Sequence, residues 1–314
     1  MGSVDFSHEW DPRTAMRIQS SYLDERSRFV SPWGTSDART GRFQARGQVS
    51  ADAASFQAAA QAILTTDTRA KVVSLHHHGK SGTFALLGIA KGAAMIGPRM
   101  ATMLAFLLTD APVWPSDLQP ILSEAVENSF NCVSVEGHTS TNDTVLILSS
   151  TAATEPILAG DDLTAFASMV NSACESLARM MAADGEGATH FITIDVEGCE
   201  SREEARTIAR AVADSPLVKT AIHGADPNWG RIVSAAGYAG VPFEEEDLSL
   251  WINGVAVYKS GVPTDFDAPS LSAGLRANRD VQLRLVLSRG DGQIRFWTCD
   301  LTAEYVRLNA DYTT

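Results

Sequence analysis

Several features that would quickly assign a function are scarce in this sequence. Its 314 residues hold four cysteines, at 132, 174, 199 and 299, and no two form a CxxC pair. A disulfide framework or a zinc ribbon is therefore not expected, and a reducing compartment fits better. Long apolar runs are missing as well. The longest, Met103 to Leu108, is far short of the roughly 20 residues that span a bilayer. Positive charge is in deficit, with 25 Lys and Arg against 38 Asp and Glu and a formal net charge of −13. That balance argues against nucleic acid or an anionic membrane as the main partner. The opening MGSVDFSHEWDPRTAM has no h-region of a signal peptide, and Phe6 stands where a myristoylation motif needs Ser or Thr. Neither an internal repeat nor a low-complexity tract is found. What is present, 45% hydrophobic and 20% charged residues, is the composition of a soluble globular protein of one or two domains, expected in the cytoplasm.

The first fifty residues read as loops and short elements, with turn signals at Trp10-Asp11-Pro12 and Pro32-Trp33-Gly34. From Ser50 an alanine-rich segment has a helix cap and strong helix formers. VVSLH and TFALLGIA read as a strand pair around HHGKSG, and VLILSS (145–150) as a buried strand. Asp161 or Asp162 caps a helix whose apolar face runs through Leu163, Phe166, Met169, Val170, Ala173, Leu177 and Met180, with Gly185 at its end. HFITIDVEG is strand-like, and Ser201-x-x-Glu204 is a capping box opening another helix. LVKTAIHG reads as a strand, and VQLRLVLSRGDGQIRFWTCD as a hairpin. Strands and helices alternate with hairpins between them, so the class is α/β with a mixed sheet.

Chemistry centres on IAKGAAMIGPRMATMLAFLLTDA, residues 89–111. Thr102 opens a long apolar run, which on its own reads as the N-cap of a helix over TMLAFLL. The alternative is a nucleophile. A threonine hydroxyl needs a base, and a free α-amine on the same residue supplies one when the preceding bond, Ala101–Thr102, is cut.

This stretch resembles the self-cleaving junction of the ornithine acetyltransferase (glutamate N-acetyltransferase) family, cut before the Thr of an ATML-type motif. The resemblance continues in order through TTDT (65–68), NSFNCVSVEGHTSTNDTV (128–145), DGEGATHFI (184–192), SPLVKTAIHGADPNWGRI (215–232) and LNADYTT (308–314). It covers the chain from about residue 50 to its last residue, which implies an intact C-terminus. It implies an enzyme that moves an acetyl group from N2-acetylornithine to glutamate, in arginine biosynthesis, without cofactor or metal. Cleavage would give an α chain, 1–101, and a β chain, 102–314, assembling as α2β2. Thr102 matches the nucleophile, and Ala101 supplies the carbonyl that is cut. Lys91, Glu186, Thr65 (or its neighbour Thr66), Asn309 and Thr314 match substrate-binding positions. A lysine there suits a substrate carboxylate, and a glutamate suits a substrate amine or a proton transfer.

The implied fold is a layered αββα-type sandwich with mixed sheets plus a smaller α/β domain. Its parts would be a divergent segment, 1–50; a main catalytic domain, 51–189 with the tail 299–314; and the smaller domain, 190–298. One departure from the family is large. The AAGVF-, NSGNAN- and STGVIG-like motifs usually found before TTDT are not recognisable, and the last of these supplies the Thr-Gly pair of an oxyanion hole. Thr40-Gly41 is the pair in the right order here. Smaller departures are Ala94 where glycine is common, and Glu136 and His138 where two acids are common. The run His76-His77-His78 is not taken as a metal site, because neighbours on a strand face opposite ways. The glycines of Gly185-Glu186-Gly187 follow a helix, so they do not form a dinucleotide loop. Asp226 to Arg231 is read as a turn into a helix, and Cys132 and Cys174 as core residues. Two other readings stand beside acetyl transfer: a self-processing amidohydrolase or aminopeptidase on the same fold, and a non-catalytic truncated relative. Use of acetyl-CoA is left open.

Overall fold

A computed structural model describes residues 8–9, 15–31, 34–49, 53–80, 82–97, 103–138, 143–149 and 157–311, with side chains from residue 56 onward. Strands β1 (His8–Glu9), β2 (Ala15–Ser31) and β3 (Gly34–Val49) form an antiparallel sheet, with β2 and β3 in register from Met16↔Val49 to Ser31↔Gly34. The expected loops and short elements of this region are replaced by two long strands. The Pro32-Trp33 turn signal falls between them in sequence and lies outside the described residues.

After helix α1 (Ala53–Ala62) come β4 (Lys71–Gly79), β5 (Gly82–Lys91) and β6 (Leu104–Thr109), then α2 (Pro115–Glu127) and β7 (Thr144–Ser149). They form a sheet in the order β4-β5-β6-β7, antiparallel until β7 joins parallel to β6. LAFLLT is therefore a strand, not the helix that Thr102 would have capped. Ala105, Leu107 and Thr109 are buried in alternation with half-buried neighbours, the period of a strand. VLILS is a strand as expected but lies at the sheet edge, where Leu146 and Leu148 are 43% and 41% exposed.

Helix α3 (Gly160–Ala183) lies against this sheet and also touches the next one. Its buried stripe runs Phe166, Met169, Val170, Ala173, Leu177 and Met181. Met181 takes the place expected for Met180, because it follows Leu177 by four residues, a full helical repeat. Asp161 and Asp162 lie in the first turn, and the N-cap position itself is Ala159.

The second half builds β8 (Phe191–Cys199), α4 (Arg202–Asp214), α5 (Pro216–His223), α6 (Trp229–Gly237), β9 (Ser249–Ile252), β10 (Val255–Lys259), β11 (Val262–Pro263), α7 (Ala268–Ala277), β12 (Asp280–Val286), β13 (Gly292–Cys299) and α8 (Ala303–Asp311). The strand order is β11-β10-β9-β12-β8-β13. Here β12 and β13 are not a hairpin: β8 lies between them, parallel to β12 and antiparallel to β13. A sequence run cannot show that an earlier strand inserts into its middle. LVKTAIHG is also corrected, from strand to helix α5. Pro216 occupies its first turn, and the Ser215 side chain accepts from the Val218 N–H at 3.4 Å. The Ser201 cap of α4 is present: its hydroxyl accepts from the Glu204 N–H, while the Glu204 carboxylate reaches back to the Glu200 N–H. The fold is thus mixed α/β in layers, with the larger of two hydrophobic clusters running from the four-stranded sheet through α3 to the six-stranded sheet, and a smaller one of Phe56, Ala60, Leu87 and Ile89 between α1 and β5. No helix among the described residues is long and apolar enough to cross a membrane.

Candidate active site

Lys91 is the last residue of β5 and only 8% exposed. It pairs across the ladder with Leu104, two residues beyond Thr102. The Met103 N–H donates to Asp143 Oδ1 at 2.6 Å, which fixes the backbone immediately after Thr102. Burial pushes the Asp143 carboxyl up, opposed by that N–H and by the Lys91 ammonium. Thr102, Ala101 and Thr314 lie outside the described residues, and Thr40 and Gly41 lie on β3, whose side chains are not described.

The DGEGAT segment follows α3 and enters β8. The Glu186 N–H donates to Ala93 O at 3.0 Å, placing this loop against the chain just past Lys91. The Glu186 carboxylate accepts from Asn309 Nδ2 on α8 at 3.0 Å. Gly187 makes that approach possible. Its φ is +66°, and a Cβ there would lie 2.7 Å from the Tyr305 nitrogen. Thr302 stitches the two segments together, donating to Gly187 O at 2.9 Å and accepting from the Tyr305 N–H at 3.0 Å.

Beside these residues lies a buried ion group to which the motifs assign no role. Lys71 Nζ is 2.5 Å from Asp67 Oδ1 and 2.6 Å from Asp184 Oδ2, and all three side chains are nearly inaccessible. Asp67 Oδ1 also accepts from the Gly92 N–H at 2.6 Å, and Asp184 accepts from the backbone and hydroxyl of Thr68. Burial raises the Asp67 pKa, but the Lys71 and Gly92 bonds outweigh it and hold the carboxyl below its ordinary value. The group joins the segments carrying Thr65, Lys91 and Glu186. Thr65 itself is exposed; its N–H donates to Asp67 Oδ2 at 3.3 Å, so it is linked to Lys91 through Asp67 and Gly92.

Glu136, noted in the sequence only as a departure, also lies close enough to act on Glu186. Its Oε1 accepts from the Ile96 N–H at 2.7 Å, and its Oε2 has no hydrogen-bond partner among the described residues. Burial drives its pKa up to about 7, against the Ile96 N–H and the Lys219 ammonium, with Glu186 and Asp214 adding to the rise. Tyr305 feels the same two glutamates, and burial, then their charge, raises its hydroxyl pKa. The order of residues along the chain gave no signal of this; only burial and proximity do.

The arrangement therefore offers a buried ammonium, a glutamate held by an amide and a buried acid titrating near neutrality. Each lies on, or one hydrogen bond from, the stretch 91–96. Clefts of about 370 to 500 Å³ lie elsewhere on the surface, and Lys91, Glu186 and Asn309 line none of them. His76 and His78 are exposed on one face of β4, and His77 packs on Phe84 from the other with ring centroids 5.0 Å apart.

Comparison with known proteins gives concordant matches. The model of the ArgJ family matches residues 36–314. The arginine biosynthesis bifunctional protein ArgJ of Dehalococcoides mccartyi (strain CBDB1) is 48% identical over 257 residues, covering 81% of this chain and 63% of that protein. The protein of the same name from Rhodopirellula baltica is 44% identical over 279 residues, covering 88% of this chain and 68% of its own length. A crystal structure of the arginine biosynthesis bifunctional protein argJ from Bacillus halodurans is 39% identical, with a TM-score of 0.63 over 66% of this chain and 98% of that one. The chain spans about three-fifths of the length of the first two curated relatives it matches.

Proposed function

The chain belongs to the ArgJ family, and on that premise we propose that it is an N-acetyltransferase acting in arginine biosynthesis, with N2-acetylornithine as donor and glutamate as acceptor. The observation that carries this reading is the meeting of Glu186 with Asn309 at 3.0 Å, on a loop tied to Ala93 beside Lys91. Segments that carry three residues matched to substrate positions from distant motifs are linked by these two bonds, which supports the reading.

The chemistry begins with self-cleavage. The Thr102 hydroxyl adds to the Ala101 carbonyl, the Ala101–Thr102 amide bond breaks as an ester forms, and water hydrolyses that ester. The products are an Ala101 carboxylate and a Thr102 with a free α-amine. That amine then takes the hydroxyl proton as Thr102 Oγ attacks the acetyl carbonyl of the donor. Ornithine leaves with the proton on its amine, and an acetyl ester remains. The glutamate amine attacks the ester and restores the hydroxyl. Lys91 would hold a substrate carboxylate and Glu186 a substrate amine, oriented by Asn309. Thr65 and Thr314 complete the binding set in this reading, and Thr40-Gly41 is the oxyanion candidate.

The solved Bacillus halodurans chain is about two-thirds the length of this one, close to the length of 102–314, which agrees with a β chain separated at Thr102. We assign the α and β products to one another as partners in an α2β2 particle. Buried, unpaired cysteines suit a reducing cytoplasm. Donor, enzyme and acceptor in one assay test the reaction: acetylglutamate should form from acetylornithine only when glutamate is present. Release of acetate without glutamate would favour the hydrolase reading, and no turnover at high enzyme concentration the non-catalytic one.

A further inference from the structure

Three side chains from separate parts of the chain converge beside the Glu186 loop, and no step of the proposed reaction uses them. His190 precedes β8, His223 closes α5 and Asp300 follows β13. Asp300 Oδ2 lies 3.0 Å from His190 Nδ1 and 3.1 Å from His223 Nδ1. Each of the three residues offers a ligand atom within 4.8 Å of those of the other two. The Thr189 hydroxyl oxygen is 2.5 Å from Asp300 Oδ2 and 3.1 and 3.2 Å from the two ring nitrogens.

The protons of this group can be counted. His190 Nε2 is 3.2 Å from Leu275 O, and a carbonyl only accepts, so Nε2 carries a proton. In a neutral ring His190 Nδ1 is then a lone pair. Asp300 Oδ1 accepts from the Thr189 and His190 N–H groups at 2.8 and 2.9 Å, which fixes the carboxylate with Oδ2 turned to the rings. A lone pair facing a carboxylate oxygen repels it, and a cation between them reverses the sign. That cation is either a second proton on His190 or a metal ion.

The donor geometry favours the metal. A tetrahedral site with ligand arms of about 2.0 Å has edges of about 3.3 Å, close to the 3.0 and 3.1 Å from Asp300 Oδ2 to the two ring nitrogens. The bond from Nε2–H to a backbone carbonyl, and the two N–H groups on Asp300, are supports of the kind that orient metal ligands. The His223 side chain is 41% exposed, which gives an ion a route in from solvent. With a second proton on His190, Asp300 Oδ2 would take three donors at once, from the Thr189 hydroxyl and both ring nitrogens, whereas a carboxylate oxygen has about two lone-pair sites and an ion satisfies all the atoms together.

We propose that His190 Nδ1, His223 Nδ1 and Asp300 Oδ2 bind one divalent transition-metal ion of the zinc class, with the Thr189 hydroxyl or a water in the fourth position. The ion staples the start of β8, the end of α5 and the β13–α8 junction, so it braces the base of both segments that present Glu186 and Asn309. The site stands whether or not acetyl transfer does.

The test is titration of the EDTA-treated, buffer-exchanged full chain with Co²⁺, then Zn²⁺, by calorimetry and visible absorption. His223→Ala and the double variant His76→Ala/His78→Ala are run alongside. The expected result is one equivalent of Co²⁺ with the absorption of a four-coordinate site, displaced by Zn²⁺. Affinity falls tenfold or more in His223→Ala and is unchanged in the double variant. Zn²⁺ raises the melting temperature of the wild type but not of His223→Ala; should the alanine variant not fold, His223→Gln replaces it. Binding that is no stronger in the wild type than in the His223 variant overturns the proposal. So does binding lost with His76 and His78, or a metal-free chain whose His190 ring nitrogens both carry protons by ¹⁵N NMR.

Discussion

Asn309 donates through Nδ2 to Glu186 Oε2 at 3.0 Å, a contact between residues 123 positions apart. It ties the last helix to the loop after α3. Both side chains are also accessible, so the pair can be altered without opening the core. A hydrogen bond to Glu186 from a charged substrate amine would contribute about 1.5–3 kcal/mol, far more than this exposed intramolecular contact, so Asn309→Ala and Glu186→Gln should each lower kcat/KM for acetyl transfer by about tenfold to a hundredfold. Their melting temperatures should stay near that of the wild type. Unchanged kcat/KM in both would remove the pair from the substrate site.

The buried Asp67–Lys71–Asp184 group makes a different demand. Lys71→Met leaves two carboxylates in a dry site and should cost about 3–5 kcal/mol of stability, read by urea unfolding. The low Asp67 pKa fixes the sign of the acid response. Its contribution is complete above the ordinary Asp value of about 3.9 and is lost as the pH falls through the lower folded value.

Glu136 works in the opposite direction. Unfolded, it ionises near the ordinary value of about 4.3; folded, it ionises at about 7, chiefly because it is buried. Within that window folding takes up a proton, so stability falls as the pH rises and levels off above about 7. Urea unfolding across this range should show the slope in the wild type and a shallower one in Glu136→Gln. Identical slopes would mean that the carboxyl is ionised throughout.

The cysteines should be inert in the folded chain. All four are buried and free, and burial pushes Cys132, Cys199 and Cys299 up to about 11 and Cys174 to about 12. A thiol reagent at pH 8 should modify almost none of them in minutes, and all four after unfolding.

What the sequence made legible was local or strongly patterned. The stripe of α3, the Ser201 cap and the β4–β5 pair all depend on neighbours within a few residues. Where the outcome depended on partners far away, local pattern misled. The β-rich composition of LVKTAIHG points to a strand, yet Ser215 and Pro216 start a helix whose face buries Val218, Ala221 and Ile222. The run 280–299 has the look of a hairpin, but β8 supplies both pairing edges. The candidate site divides the same way. Lys91, Glu186 and Asn309 were identified through motif resemblance, and the fold brings their segments together. Asp67, Asp184 and Glu136 lie inside matched motifs and Lys71 just after one, but none was given a role, because a buried charge is recognisable only once its surroundings are known.

The central claim is that Thr102 becomes a chain terminus and acts through its own amine. Intact mass of the purified protein under denaturing conditions, beside Thr102→Ala, tests it most directly. Two fragments meeting between Ala101 and Thr102, replaced by one full-length chain in the variant, are the expected result. A single uncut chain in both samples would contradict the account and leave a family member without its nucleophile.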